Sequence, residues 1–155
     1  VPALGGHNTY PGGSFERTHL DSRSDVLTYT SEPLETDLHI LGQILIECYC
    51  VADTPSFDLC AVVSEVTPDG KVYNFTQGYI RVNTLELPIT IPLQYTCIKI
   101  QQGHCLRLSL SAACFPAHPV NSGTGKPPHE ERLIEAAVCT LKVFCQGKTK
   151  IILNH

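Results

Sequence analysis

Between Cys105 and Ala112 the chain alternates cleanly, with Leu106, Leu108 and Leu110 on one side and Arg107, Ser109 and Ser111 on the other. A period of two belongs to an extended strand with one buried face and one wet face. Short β-rich runs recur at Leu38 to Val51, Leu59 to Val66, Val72 to Phe75, Tyr79 to Val82, Ile89 to Leu93, Cys105 to Ser111, Ala136 to Phe144 and Ile151 to Leu153. Turn formers separate them. Pro68-Asp69-Gly70 marks a tight hairpin, because proline presets its φ and glycine supplies a positive one. Glu130 to Leu141 is ambiguous: Leu133, Ile134, Ala137, Val138 and Leu141 fall at helical spacing, yet Val138 to Phe144 is also good strand sequence, and a strand from about Ala136 is expected. Residues 1–25, rich in Gly, Pro, His and Ser, read as an irregular lead-in laid over a surface, and residues 26–155 as the domain proper. About eight strands at sandwich spacing, with no alternation of strands and helices, predict an all-β fold, an antiparallel sandwich of jelly-roll or Greek-key type.

Composition narrows the function classes. At 155 residues the chain has the length of one domain. Charged residues make up 17%, against about 25% in ordinary globular chains, and the net charge is −4. A nucleic-acid partner would call for a basic face, so none is expected. Gln43, Glu47, Ser64 and Arg107 break the apolar runs far short of the roughly 20 residues that cross a bilayer, so no membrane partner is expected either. The chain has no Met and starts at Val1 without a leader pattern, and the expectation is a piece excised from a longer, cytoplasmic protein.

Eight cysteines invite a disulfide or metal reading. The spacings favour neither. Cys48 and Cys50 form C-x-C within an apolar run, where a strand points both the same way, and no C-x-x-C pair exists. His104 and Cys105 are adjacent and would face opposite sides of a strand, which suits no zinc cluster. Reduced cysteines acting as small core hydrophobes in a cytosolic protein are expected, with no metal and no cofactor.

A search for catalytic chemistry finds little. No G-x-S-x-G elbow is present; Gly12-Gly13-Ser14-Phe15-Glu16 lacks the last glycine, and Ser122-Gly123-Thr124-Gly125-Lys126 lacks phosphate-loop spacing. His118 and His129 flank a loop containing Asn121 to Gly125, without a metal or base pattern. Asp53 and Asp58 flank Pro55 in a turn, a pairing that a glycosidase could use but that turn chemistry also explains. Asn74-Phe75-Thr76 matches a glycosylation acceptor by chance. Arg81 and Arg107 sit on strands in a chain poor in charge, so each should have an acidic or backbone partner inside the domain. The residues alone describe a sandwich that binds, shields or scaffolds.

Longer strings are more specific. Asp25-Val26-Leu27-Thr28-Tyr29-Thr30-Ser31-Glu32-Pro33-Leu34, Asp53-Thr54-Pro55-Ser56-Phe57-Asp58, and Pro68-Asp69-Gly70 followed by Asn74-Phe75-Thr76-Gln77-Gly78-Tyr79-Ile80-Arg81 resemble, in order and spacing, the C-terminal non-catalytic domain of the X-prolyl dipeptidyl peptidase and cocaine esterase family of α/β serine hydrolases. Gly103-His104-Cys105-Leu106-Arg107-Leu108 is similar to the family's G-H-R-x-R strand, with Cys105 in place of Arg. Phe115-Pro116 and Asn121-Ser122-Gly123-Thr124-Gly125 are similar to its F-P-(x)4-N-x-N-T-G loop, with Ser122-Gly123 in place of Pro-Asn. Val1-Pro2-Ala3-Leu4-Gly5-Gly6 looks like the passage into this domain from the catalytic one.

The resemblance implies a jelly roll similar to galactose-binding domains, appended to an α/β-hydrolase catalytic domain that carries the whole triad. This chain alone would then be inactive, while its parent hydrolyses acyl esters or X-Pro peptides. Inter-domain or cleft-lining positions would be Tyr10, in the His7-Asn8-Thr9-Tyr10 stretch, Asp53 and Asp58, and Phe115, His118 and Asn121 in the 115–125 loop. Asp53 and Asp58 could equally cap their own turn. A homo-oligomer is compatible with this reading. The rival is a free-standing carbohydrate-binding module on the same fold, against which the absence of Trp weighs.

Overall fold

The computed structural model describes residues 13–127, 129–145 and 148–153. Nine strands make up most of the secondary structure: β1 (Val26–Thr30), β2 (Leu38–Cys48), β3 (Cys50–Ala52), β4 (Phe57–Val66), β5 (Val72–Val82), β6 (Ile89–Ile100), β7 (Cys105–Ser111), β8 (Leu141–Val143) and β9 (Lys150–Ile152). One sheet has the order β1-β7-β4-β5 and a second the order β6-β2-β9, with β3-β8 as a short separate pair, all antiparallel. Only Tyr49 separates β2 from β3, and β9 and β8 pair with them in turn, so the C-terminal segment runs back along 45–52.

The core lies between the two sheets. Leu59, Ala61 and Val63 of β4 and Leu106, Leu108 and Leu110 of β7 meet Ile44 and Ile46 of β2 and Ile89, Ile91 and Leu93 of β6 in one buried cluster. Removing each such aliphatic side chain from water contributes about 2 kcal/mol, which is why period-two apolar runs specify the sandwich. The expected antiparallel sandwich is what forms, and the Pro68-Asp69-Gly70 hairpin closes where it was read, with Gly70 at φ +85° joining β4 to β5.

Three readings shift. The two runs Val72 to Phe75 and Tyr79 to Val82 are one strand, because the intervening Thr76 and Gln77 are buried and Thr76 Oγ1 donates to the Gln94 carbonyl of β6 at 2.7 Å. The run beginning at Ile89 continues to Ile100, with Pro92 tolerated because β6 is an edge strand whose only ladder partner is β2. The expected strand from Ala136 shrinks to Leu141–Val143, preceded by a 3₁₀ turn at Leu133–Glu135; among the described residues of the run, these three pair as a strand, with β3. At Gly78 the sheets approach so closely that a side chain would collide with the Pro92 carbonyl and the Leu93 side chain.

The described part of the lead-in, residues 13–25, is anchored to the sheet. A single helical turn, α1 (Thr18–Asp21), follows Arg17, whose backbone N–H donates to the Val72 carbonyl at 2.8 Å. Arg17 and Asp21 are buried as an ion pair at 3.0 Å, and Ser109 Oγ donates to Asp21 at the same distance. Arg107 reaches Asp21 at 3.7 Å and donates to Thr30 Oγ1 at 2.8 Å, so the partner expected for it is present.

Candidate functional site

Register places Asp58 of β4 directly across from Arg81 of β5. Cross-strand partners on one face lie close enough to interact through their side chains. Arg81 Nε donates to Asp58 Oδ1 at 2.9 Å and its Nη2 to Oδ2 at 3.3 Å, a two-point contact that fixes the guanidinium plane. The same Nη2 donates to the Pro119 carbonyl at 3.2 Å. Asp58 is buried, and the partner expected for Arg81 is this carboxylate.

The pair is the seat of the 115–125 loop. Asn121 Nδ2 donates to Asp58 Oδ1 and to Ser56 Oγ, each at 2.8 Å, and its Oδ1 accepts from the Gly123 N–H at 2.9 Å. Ser56 Oγ passes its own proton to Asn83 Oδ1 at 2.8 Å. Two residues before Arg81 on the same face, Tyr79 stacks flat on His118, ring centroids 3.7 Å apart. Burial and a hydrogen bond to Asp58 push the Tyr79 phenol up to about 12, so it stays neutral. The loop returns over the 53–56 turn, where Gly123, at φ +77°, lies against the Thr54 side chain.

Pinned from below, the loop turns its apolar residues outward. Phe115 is 57% exposed and Val120 58%. The Ser122 carbonyl accepts from the Ala137 N–H at 2.9 Å, which brings the segment carrying Val138, 91% exposed, alongside. Asp53 stands at the rim: its carboxylate accepts from the Thr140 N–H at 2.8 Å, and that backbone bond holds it below the usual carboxylate range.

Of the positions read from the sequence, the structure gathers Asp58, His118 and Asn121 into one network with Phe115 beside it. Asp53 serves a different segment, and Tyr10 lies outside the described residues. Asp58 is not a turn residue: it is the second residue of β4, with both carboxylate oxygens engaged inside the domain. Ser56, Tyr79 and Asn83 went unread; the period-two spacing of Tyr79 and Arg81 was the available signal for one of them. With Asp58 occupied by Arg81 and Asn121, and Asp53 by Thr140, the two carboxylates are not arranged as a catalytic pair. Among the described residues no cluster of three His, Cys, Asp or Glu could hold a metal ion. The arrangement positions a loop.

Residues 3–152 match the family described as the X-Pro dipeptidyl-peptidase C-terminal non-catalytic domain. The cocaine esterase of Rhodococcus sp. (strain MB1 Bresler) is 28% identical over 157 residues, spanning 90% of this chain and 27% of the esterase. An α-amino acid ester hydrolase structure superposes with a TM-score of 0.79 at 20% identity, over 89% of this chain and 26% of that one. An aminopeptidase from a marine sediment Thaumarchaeota archaeon does so with a TM-score of 0.78 at 20% identity, over 90% and 27%. The chain thus spans about a quarter of the length of these relatives. With nearly its full length matched, this chain belongs to the X-Pro dipeptidyl-peptidase C-terminal non-catalytic domain family.

Proposed function

We propose that this chain is the non-catalytic C-terminal domain of a cytoplasmic serine hydrolase of X-Pro dipeptidyl peptidase or acyl esterase type, where it packs on the α/β-hydrolase domain and helps wall the substrate cleft. The observation that carries the reading is the pinned loop: a buried Asp58–Arg81–Asn121 network holds its backbone while Phe115 and Val120 point out of the domain. Isolated domains seldom spend a buried ion pair on presenting apolar side chains to water, and surfaces of this kind serve as contacts between domains. No nucleophile and base are built into the network, so its part in hydrolysis is positional.

The test uses the parent protein with Phe115 and Val120 both replaced by serine. We expect kcat/KM on an acyl ester or an X-Pro peptide to fall about tenfold, as when a wall of the substrate site is displaced, and the two domains to melt separately. Unchanged kinetics together with an unchanged melting profile would overturn the reading.

A further inference from the structure

Two pairs of cysteines share a packed cluster, and they differ in surroundings. Cys48 and Cys50, in β2 and β3, are sealed in the core between the sheets. Cys60 and Cys114 lie on the outer face of β4, in a small cluster with Val62 that Tyr79 and Ala117 cover. Both line a surface cleft of about 310 Å³ that also takes in Gln43, Gln77, Tyr79 and Tyr95, over the edge of β5 at Gly78. Cys60 is 5% exposed and Cys114 4%, and both line this cleft. Cys60 is held by the β4 ladder, where its register partner is Ser111, while Cys114 is the residue from which the 115–125 loop departs.

The two thiols are also unequal. The hydrogen bond from Cys60 holds Cys114 below the ordinary thiol value, with the Arg17 guanidinium helping, while the same bond and burial push Cys60 up. A nucleophilic thiol beside a resolving one is the arrangement that thiol–disulfide exchange uses.

We propose that Cys60 and Cys114 are a reversible dithiol–disulfide pair, closed by exchange with a low-molecular-weight disulfide, that staples the root of the 115–125 loop to β4. The Cys114 thiolate attacks one sulfur of the small disulfide, forming a mixed disulfide and releasing one thiolate. Cys60 gives up its proton and attacks the Cys114 sulfur, forming the Cys60–Cys114 bond and releasing the second small thiolate. Two protein thiols are oxidised and one small disulfide is reduced to two thiols, so atoms and electrons balance. The Asn121 and Pro119 anchors already hold the far part of the loop, so oxidation fixes it at a second point.

The test equilibrates the purified, reduced protein with buffers of graded oxidised and reduced glutathione, quenches the thiols and maps the cysteine peptides. The expected result is the joint loss of two free thiols with one midpoint, a linked Cys60–Cys114 peptide, and full recovery on adding dithiothreitol. In Cys60→Ala, glutathione should remain on Cys114; in Cys114→Ala, Cys60 should stay free. The wild-type map decides the matter even if a variant folds poorly. Glutathione found only on the exposed Cys97 and Cys145, with Cys60 and Cys114 free throughout, would overturn the proposal, as would a linked pair of any other two cysteines.

Discussion

From Val26 to Ser111 the chain forms β1 to β7 and nearly all of the apolar core; from Ala112 to Leu153 it contributes two strands of three residues each. The first region is held by surface removed from water, shared among many side chains. The second is held at points. Asn121 sits on Asp58, the Pro119 carbonyl on Arg81, the Thr140 N–H on Asp53, and Thr149 Oγ1 accepts from the Tyr49 N–H while donating to the Phe144 carbonyl. A segment without strand periodicity can still be placed if the sheet offers it buried charges and hydroxyls, but each such contact then stands with little behind it.

The contrast can be broken by substitution, and the largest effect should come from the core. Leu59→Ala removes a fully buried side chain between the sheets and should cost about 4 kcal/mol in urea unfolding, whereas Val138→Ala, at an exposed position, should leave the midpoint unchanged. A small loss at Leu59 would mean that the sandwich core does not govern stability. Asp58→Ala comes next, at about 2 kcal/mol, because it leaves a half-buried guanidinium and the Asn121 amide without their shared acceptor. Combining it with Asn121→Ala should cost less than the sum of the two single changes, a coupling that a double-mutant cycle measures.

Asn121→Ala alone should cost about 1 kcal/mol, and amide exchange should quicken across 115–125 while β7 keeps its protection. Spreading of the faster exchange into β7 would show that loop and sheet are a single unit. The smallest effect concerns acid. The Thr140 N–H lowers the folded pKa of Asp53, so its contribution is fully present above the ordinary carboxylate value, about 3.9, and disappears as pH falls through the lower folded value. Protection of the Thr140 amide should therefore fade in that acid window and be absent at all pH values in Asp53→Ala, which has no side-chain acceptor.

What the sequence made legible follows the same division. Cys105 to Ser111 was readable to the residue because its two faces differ in polarity. Residues 76–78 looked like a break because a buried polar side chain such as Thr76 imitates a loop until its partner, here the Gln94 carbonyl, is known. Ile134 and Val138 fall at regular apolar spacing and are exposed, since apolar character leads to burial only where a partner surface exists. At the site, Asp58, His118 and Asn121 were legible as positions in a resembling motif, and Arg81 as a charge in need of a partner. That one carboxylate serves both Arg81 and Asn121 was not legible, because register and loop path, rather than local pattern, bring them together.

The Asp58–Arg81 contact also bears on the order in which the molecule assembles. Its two members face each other across a hairpin closed by a short turn, so they meet early, as β4 and β5 zip together. Asn121 arrives from much farther along the chain and needs that finished seat. Loop docking is thus expected late, after the rate-limiting barrier, and Asn121→Ala should raise the unfolding rate at every denaturant concentration while leaving the folding rate where it was, a φ-value near zero that the two arms of a chevron plot report.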